Sequence, residues 1–167
     1  MKKALFAVLI AITILAAQAT ARAQAPFVEI VSEPETGSVT AIPAENWRTM
    51  QMKTLSGGAA LAADKAGSAI EFEFTGAAIA ADVVFGTNGG KLIAKVDGKD
   101  VATIDLYRQI MSQDAARVSL ANNLMPGAHK LRIEVLADKN PKSLGTFVAI
   151  DTLRVASVPY GVITGTL

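Results

Sequence analysis

Residues 68–75 read Ser-Ala-Ile-Glu-Phe-Glu-Phe-Thr, and that alternation narrows the choice of fold more than any other feature of the chain. Successive side chains of a strand point to opposite faces, so Ile70, Phe72 and Phe74 share one side and Glu71, Glu73 and Thr75 the other. A helix would scatter the two glutamates and three apolar residues around its circumference. Residues 130–136 repeat the pattern, with Leu131, Ile133 and Val135 set against Lys130, Arg132 and Glu134. Two strands with one greasy and one charged face predict antiparallel sheet with one side packed and the other wet.

Further runs extend this reading. Residues 91–96 place Leu92, Ala94 and Val96 on one face, Asp97-Gly98 follows, and 101–106 returns. Asp-Gly suits a type I′ turn, whose two central residues both take positive φ, with Lys99 and Asp100 expected to lengthen or finish it. Residues 147–155 are rich in β-branched side chains, 77–85 are apolar enough to be buried on both faces, 27–31 form a short opening strand, and 47–53 are a further candidate. Asn88-Gly89-Gly90, Pro126-Gly127 and Lys139-Asn140-Pro141 punctuate these runs as turns. Seven or eight short strands at such spacing predict an all-β, two-sheet antiparallel β-sandwich. No segment after residue 24 has convincing helical periodicity, although 108–116 could hold one turn of helix.

The first residues belong to a different class. Lys2 and Lys3 precede an uncharged stretch over 4–19, and Ala21-Arg22-Ala23 places small residues at −3 and −1. This is the secretory signal pattern, with cleavage expected after Ala23. A cut after Ala25 would leave Pro26 at +1. The domain organisation expected is therefore a signal peptide over 1–23, a β-sandwich over 24–155, and a C-terminal tail over 156–167 that either adds an edge strand or stays loosely ordered. The predicted location is the periplasm or the extracellular medium. Processing would remove three of the 16 basic residues and no acid, leaving 13 against 15. A near-neutral surface gives no electrostatic reason to expect nucleic acid as a partner. With no cysteine, disulfides, thiolate metal sites and a cysteine nucleophile are excluded.

Several blocks in order resemble the galactose-binding-like jelly-roll family. They are residues 67–76, the apolar strand 77–85, the glycine-rich 88–90, Val96-Asp97-Gly98, Ile104-Asp105-Leu106-Tyr107, residues 124–135, and residues 139–151. The resemblance implies a jelly-roll β-sandwich of the carbohydrate-binding-module type, often attached to glycan-active or cell-surface proteins. In that family a structural calcium can be held by carboxylates near the first and last strands, and Glu29 and Asp151 are the acids so placed here. The chain departs from many relatives in its stretch from Ala80 to Gly86, which lacks an exposed aromatic and a basic residue.

The function expected is a secreted, non-catalytic binding module that recognises a carbohydrate through rim loops. The alternative is an envelope module for protein–protein interaction or assembly, with no sugar ligand. Sugars are held by an aromatic face plus planar polar groups, and aromatics make up only 5% of the chain. The candidate ligand-binding residues are Trp47, Asn88, Tyr107, Arg108, Lys139 and Asn140. The competing structural roles are a core or edge residue for Trp47, packing for Tyr107, and turn formation for Asn88 and Asn140. No enzyme is expected. His129 is the single histidine, no nucleophile motif accompanies it, and Glu71 and Glu73 read as an ordinary solvent face.

Overall fold

A computed structural model describes residues 29–112 and 114–161. The proposed signal peptide and the first residues of the opening strand, Phe27 and Val28, lie outside the described residues, as does the tail beyond 161.

Eleven strands account for the described chain: β1 (Glu29–Ser32), β2 (Thr40–Ile42), β3 (Arg48–Gln51), β4 (Ala59–Ala63), β5 (Ala69–Gly76), β6 (Ala78–Val83), β7 (Lys91–Val96), β8 (Lys99–Asp105), β9 (Ala116–Ala121), β10 (Gly127–Val135) and β11 (Val148–Ala156). They pair antiparallel into two sheets. One has the order β3-β4-β11-β6-β9, with β1 also on β11; the other has the order β2-β5-β10-β7-β8. The all-β sandwich architecture is therefore as the alternation predicts. The apolar halves of β5, β7 and β10 face inward, where Ile70, Leu92, Ala94, Leu131, Ile133 and Val135 have no exposed surface. They meet Ile79, Val83, Ile150 and Leu153 from the opposite sheet in one core.

The first sheet is covered on its outer side as well. Small residues of β4 (Ala60 and Ala62) and Ala149 of β11 let Leu55 and Val84 pack closely above them, with Met50, Met52 and Phe147 at the margin. Burial on both sides explains why β4 shows no alternation. Alanine is a poor strand former, and the surrounding packing overrides that preference.

Two irregularities shift side chains from their expected places. The β7–β8 turn closes on two residues, Asp97 (φ 52°) and Gly98 (φ 78°), with Lys99 already paired to Val96. Lys99 and Asp100 therefore belong to the strand, not the turn. The extra residue is absorbed as a bulge where the register shifts between Ala94 and Lys95. In β11 the register with β6 shifts between Ile150 and Thr152, so Asp151 sits on a bulge. Among the described residues after β8 no helical turn forms before β9 begins at Ala116, although 108–116 could have held one.

The described part of the tail is pinned, and it adds no strand. The Tyr160 N–H donates to Asn122 Oδ1 (2.9 Å), and its hydroxyl lies 3.1 Å from the Arg154 carbonyl oxygen and 3.3 Å from Glu29 Oε1. Burial, then the Glu29 carboxylate, pushes the Tyr160 hydroxyl up to about 12.

Candidate functional site

Three segments meet at one end of the sandwich: 84–90 after β6, 106–112 after β8, and 136–147 after β10. The backbone ties them together. The Gly86 N–H donates to the Leu106 carbonyl (3.0 Å), Arg108 N–H to the Gly86 carbonyl (3.0 Å), and Leu106 N–H to the Gly90 carbonyl (2.9 Å). Leu144 N–H donates to the Thr87 carbonyl (2.9 Å) and Gly90 N–H to the Phe147 carbonyl (2.8 Å). At the junction the buried Ser143 Oγ donates to the Gly89 carbonyl (2.7 Å) and accepts from Gly145 N–H (3.2 Å).

The glycine pair read as a turn has another job. A methyl at Gly89 would lie 2.1 Å from the Leu106 carbonyl oxygen, and one at Gly90 would lie 2.5 Å from the Thr146 backbone. The requirement is close approach of backbones, not positive φ.

Five of the six sequence-predicted residues fall on this rim. Asn88 is half-buried, and its Oδ1 is enclosed without a hydrogen-bond partner. Tyr107 is half-buried, and its N–H donates to Asp105 Oδ1 (2.9 Å). Asn140 donates through Nδ2 to Asp105 Oδ2 (2.8 Å) and accepts from Lys142 N–H (3.0 Å). Asp105 therefore clamps two loops with one carboxylate, a role sequence reasoning missed. Its place two residues before Tyr107, where an Asp side chain can take the backbone N–H, was the available signal. The Lys139 ammonium donates to the Ser143 carbonyl (3.0 Å). Arg108 is exposed, with its guanidinium carbon 4.0 Å from the centre of the Phe85 ring. Ile110 and Leu144, 80% and 81% exposed, complete the rim. They too went unread, although an apolar residue inside a polar loop is a detectable signal.

Trp47 is placed differently. It is 8% exposed, belongs to the main core, and leaves its indole N–H buried without a partner. Of its two sequence readings, the geometry is that of the core residue, with the ring committed to packing.

Glu29 and Asp151, the calcium candidates, are not brought together. Glu29 lies opposite Ala156, at the far end of β11 from Asp151. Its carboxylate is held by Arg117 (3.4 Å) and Arg154 (3.3 Å), so two guanidinium groups occupy the place a cation would take. Asp151 accepts the Ser56 N–H (2.9 Å) from its bulge. Burial first, and then the Asp82 and Glu35 carboxylates, push it up to about 6. Among the described residues no group of three or more His, Asp or Glu is disposed to hold a metal ion. The pair taken from the sequence does not fit calcium.

At the opposite end of the sandwich His129 pairs with Phe74, their rings 5.4 Å apart, and its side chain is 11% exposed, so it does not share the wet face of β10. Nδ1 lies 2.7 Å from Asp97 Oδ2 and Nε2 lies 2.8 Å from the Met125 carbonyl oxygen. Both hydrogen bonds favour the protonated ring, and its pKa is raised.

With this geometry established, the fold can be set beside solved structures. A Paenibacillus xanthan lyase superposes on 78% of this chain with a TM-score of 0.59 and 19% identity. A two-domain esterase active on acetylated mannans, crystallised with mannopentaose, covers 78% at a TM-score of 0.57 and 13% identity. The catalytic domain of a GH87 alpha-1,3-glucanase in complex with nigerose covers 83% at 0.56 and 14% identity. The likeness is one of fold. This chain spans 13%, 37% and 29% of those three chains respectively, so it corresponds to a part of each. No protein-family model matches the sequence, and no curated protein is similar to it at a significant level. Among the described residues no helix is long and apolar enough to cross a membrane.

Proposed function

We propose that this protein is an exported, non-catalytic carbohydrate-binding module of the galactose-binding-like jelly-roll type, processed after Ala23, and that its ligand sits on the loops 84–90, 106–112 and 136–147. One observation carries the reading. Asn88, Tyr107, Arg108, Lys139 and Asn140, far apart in sequence, converge on one end of a rigid sandwich. A rim of amide, hydroxyl and cationic groups beside exposed apolar side chains is the mixture that pairs with sugar hydroxyls and ring faces. Loops held by a scaffold are where binding groups concentrate. The three fold neighbours, a xanthan lyase, an esterase active on acetylated mannans and an alpha-1,3-glucanase, lend support, since their names concern polysaccharides. Absence of catalysis is supported by His129, whose two ring nitrogens are both engaged and leave no free base.

Affinity electrophoresis of the purified protein through gels containing a panel of polysaccharides tests the proposal. Retardation by at least one polymer, reduced in Tyr107→Ala with an unchanged circular dichroism spectrum, is expected. Unretarded migration through every polymer refutes it. The exposed Ile110 and Leu144 favour a second reading, docking of an envelope protein on the same rim. Co-purification of one envelope protein from crosslinked cells, lost in Leu144→Asp, together with no retardation in any gel, would select it.

A further inference from the structure

Arg108, on the rim, differs from the other arginines among the described residues. Among the described residues there are five arginines, and four hold a carboxylate: Arg48 with Asp64 (3.1 Å), Arg117 with Asp82 (3.3 Å), Arg132 with Glu71 (3.2 Å), and Arg154 with Asp82 and Glu29. Arg108 forms no ion pair among the described residues. It lies over the Phe85 ring at 4.0 Å, and Phe85 is itself 8% exposed and therefore fixed in the wall of the sandwich. Stacking on an aromatic face holds a guanidinium in one plane and leaves its N–H edge open. The backbone beneath is fixed too, through Arg108 N–H on the Gly86 carbonyl (3.0 Å) and Ser112 N–H on the Phe85 carbonyl (2.9 Å).

No nearby acid forms an ion pair with it among the described residues. Both Asp105 oxygens are taken, by the Tyr107 N–H and the Asn140 amide, and Asp138 is paired with Lys91. With Lys91 set against Asp138, the rim retains Arg108, Lys139 and Lys142 as cations against the Asp105 and Asp114 carboxylates, a net positive balance. A fork of N–H groups fixed in a plane matches a planar carboxylate through two parallel bonds, which a neutral hydroxyl cannot reproduce.

We infer that the ligand is an acidic polysaccharide, with the carboxylate of a hexuronate residue received by the Arg108 guanidinium and Lys139 and Lys142 drawing in the neighbouring charges. This rests on the reading of the rim as a glycan site and adds the chemical class of the glycan.

The test is isothermal titration of the purified protein with polygalacturonate, alginate and glucuronoxylan, each alongside its carboxyl-reduced counterpart, and with a panel of neutral polysaccharides. Binding to at least one acidic polymer is expected, weakened at least tenfold by carboxyl reduction. Arg108→Gln and Arg108→Lys are each expected to lose about tenfold on the acidic polymer, a change of about 1.4 kcal/mol. Lys95→Gln, on the charged outer face of β7 away from the rim and paired with Asp100, is expected to bind as the wild type. Equal binding to the acidic and reduced polymers, binding confined to neutral polymers, or full affinity in Arg108→Lys overturns the inference and leaves the glycan reading standing. Silence toward every acidic and neutral polymer overturns both.

Discussion

Replacing Gly89 with alanine puts a methyl carbon 2.1 Å from the Leu106 carbonyl oxygen, and that oxygen has little freedom to retreat. It accepts the Gly86 N–H (3.0 Å), while the Leu106 N–H is committed to the Gly90 carbonyl (2.9 Å). Overpacking alone costs about 1–3 kcal/mol, and each backbone bond lost as the strands part costs about 1 kcal/mol more. The expected penalty is therefore about 2–4 kcal/mol. Gly98→Ala is the control. It occupies φ 78° in the β7–β8 turn with nothing within 4 Å of the added carbon, so it suffers only the left-handed strain of about 1–2 kcal/mol. Urea denaturation of both variants at one temperature, read by fluorescence and circular dichroism, yields the two values. The Gly89 variant should unfold at the lower urea concentration and lose glycan binding, while the Gly98 variant keeps it. Equal midpoints, or a Gly89 variant that binds normally, would refute the close-approach argument and the rim architecture built on it.

Three other outcomes follow from the charges. Because the folded-state pKa of Asp151 is raised to about 6, its ionisation works against folding. Its stabilising protonated form is lost as pH rises from about 4 toward 6, with a ceiling of roughly 3 kcal/mol. Urea titrations across that window should show Asp151→Asn less pH-dependent than the wild type and more stable at pH 7. His129 behaves in the same direction over a higher range. Its raised pKa means a contribution fully present below about 6.5 and lost as pH climbs through the folded value, so His129→Gln should remove a decline in thermal stability on the alkaline side. Asp82, 8% exposed, accepts from Thr152 (2.7 Å), Arg117 and Arg154. Asp82→Ala leaves Arg117 and Arg154 to Glu29 alone and the buried Thr152 hydroxyl without its acceptor, and should cost about 1–3 kcal/mol by urea unfolding.

Sequence legibility followed solvent. β5, β7 and β10 were readable because each has one wet face, which writes the period of two directly into Glu71, Glu73, Lys130 and Arg132. β4 was not, because alanines buried on both sides carry no alternation to read. Trp47 lies between the polar residues Asn46 and Arg48, yet its ring is buried. In an extended chain polar neighbours point away from the residue between them, and that residue turns to the core. The Asp151 bulge and the pinning of Tyr160 by Asn122, Glu29 and the Arg154 carbonyl depend on partners distant in sequence, so no local pattern announced them. For the rim, residue types were legible and their support was not. Asn88, Tyr107, Arg108, Lys139 and Asn140 stood out individually, whereas the Asp105 clamp and the Phe85 platform exist only after folding.

The most direct measurement is amide chemical-shift mapping of the isotope-labelled protein titrated with a soluble oligosaccharide of whichever polymer it retains. Perturbations should gather on residues 84–90, 105–112 and 138–147, with the charged outer face around Glu71, Lys95 and Arg132 unmoved. Perturbations centred on that face, or around His129 at the far end, would contradict a binding site on the rim.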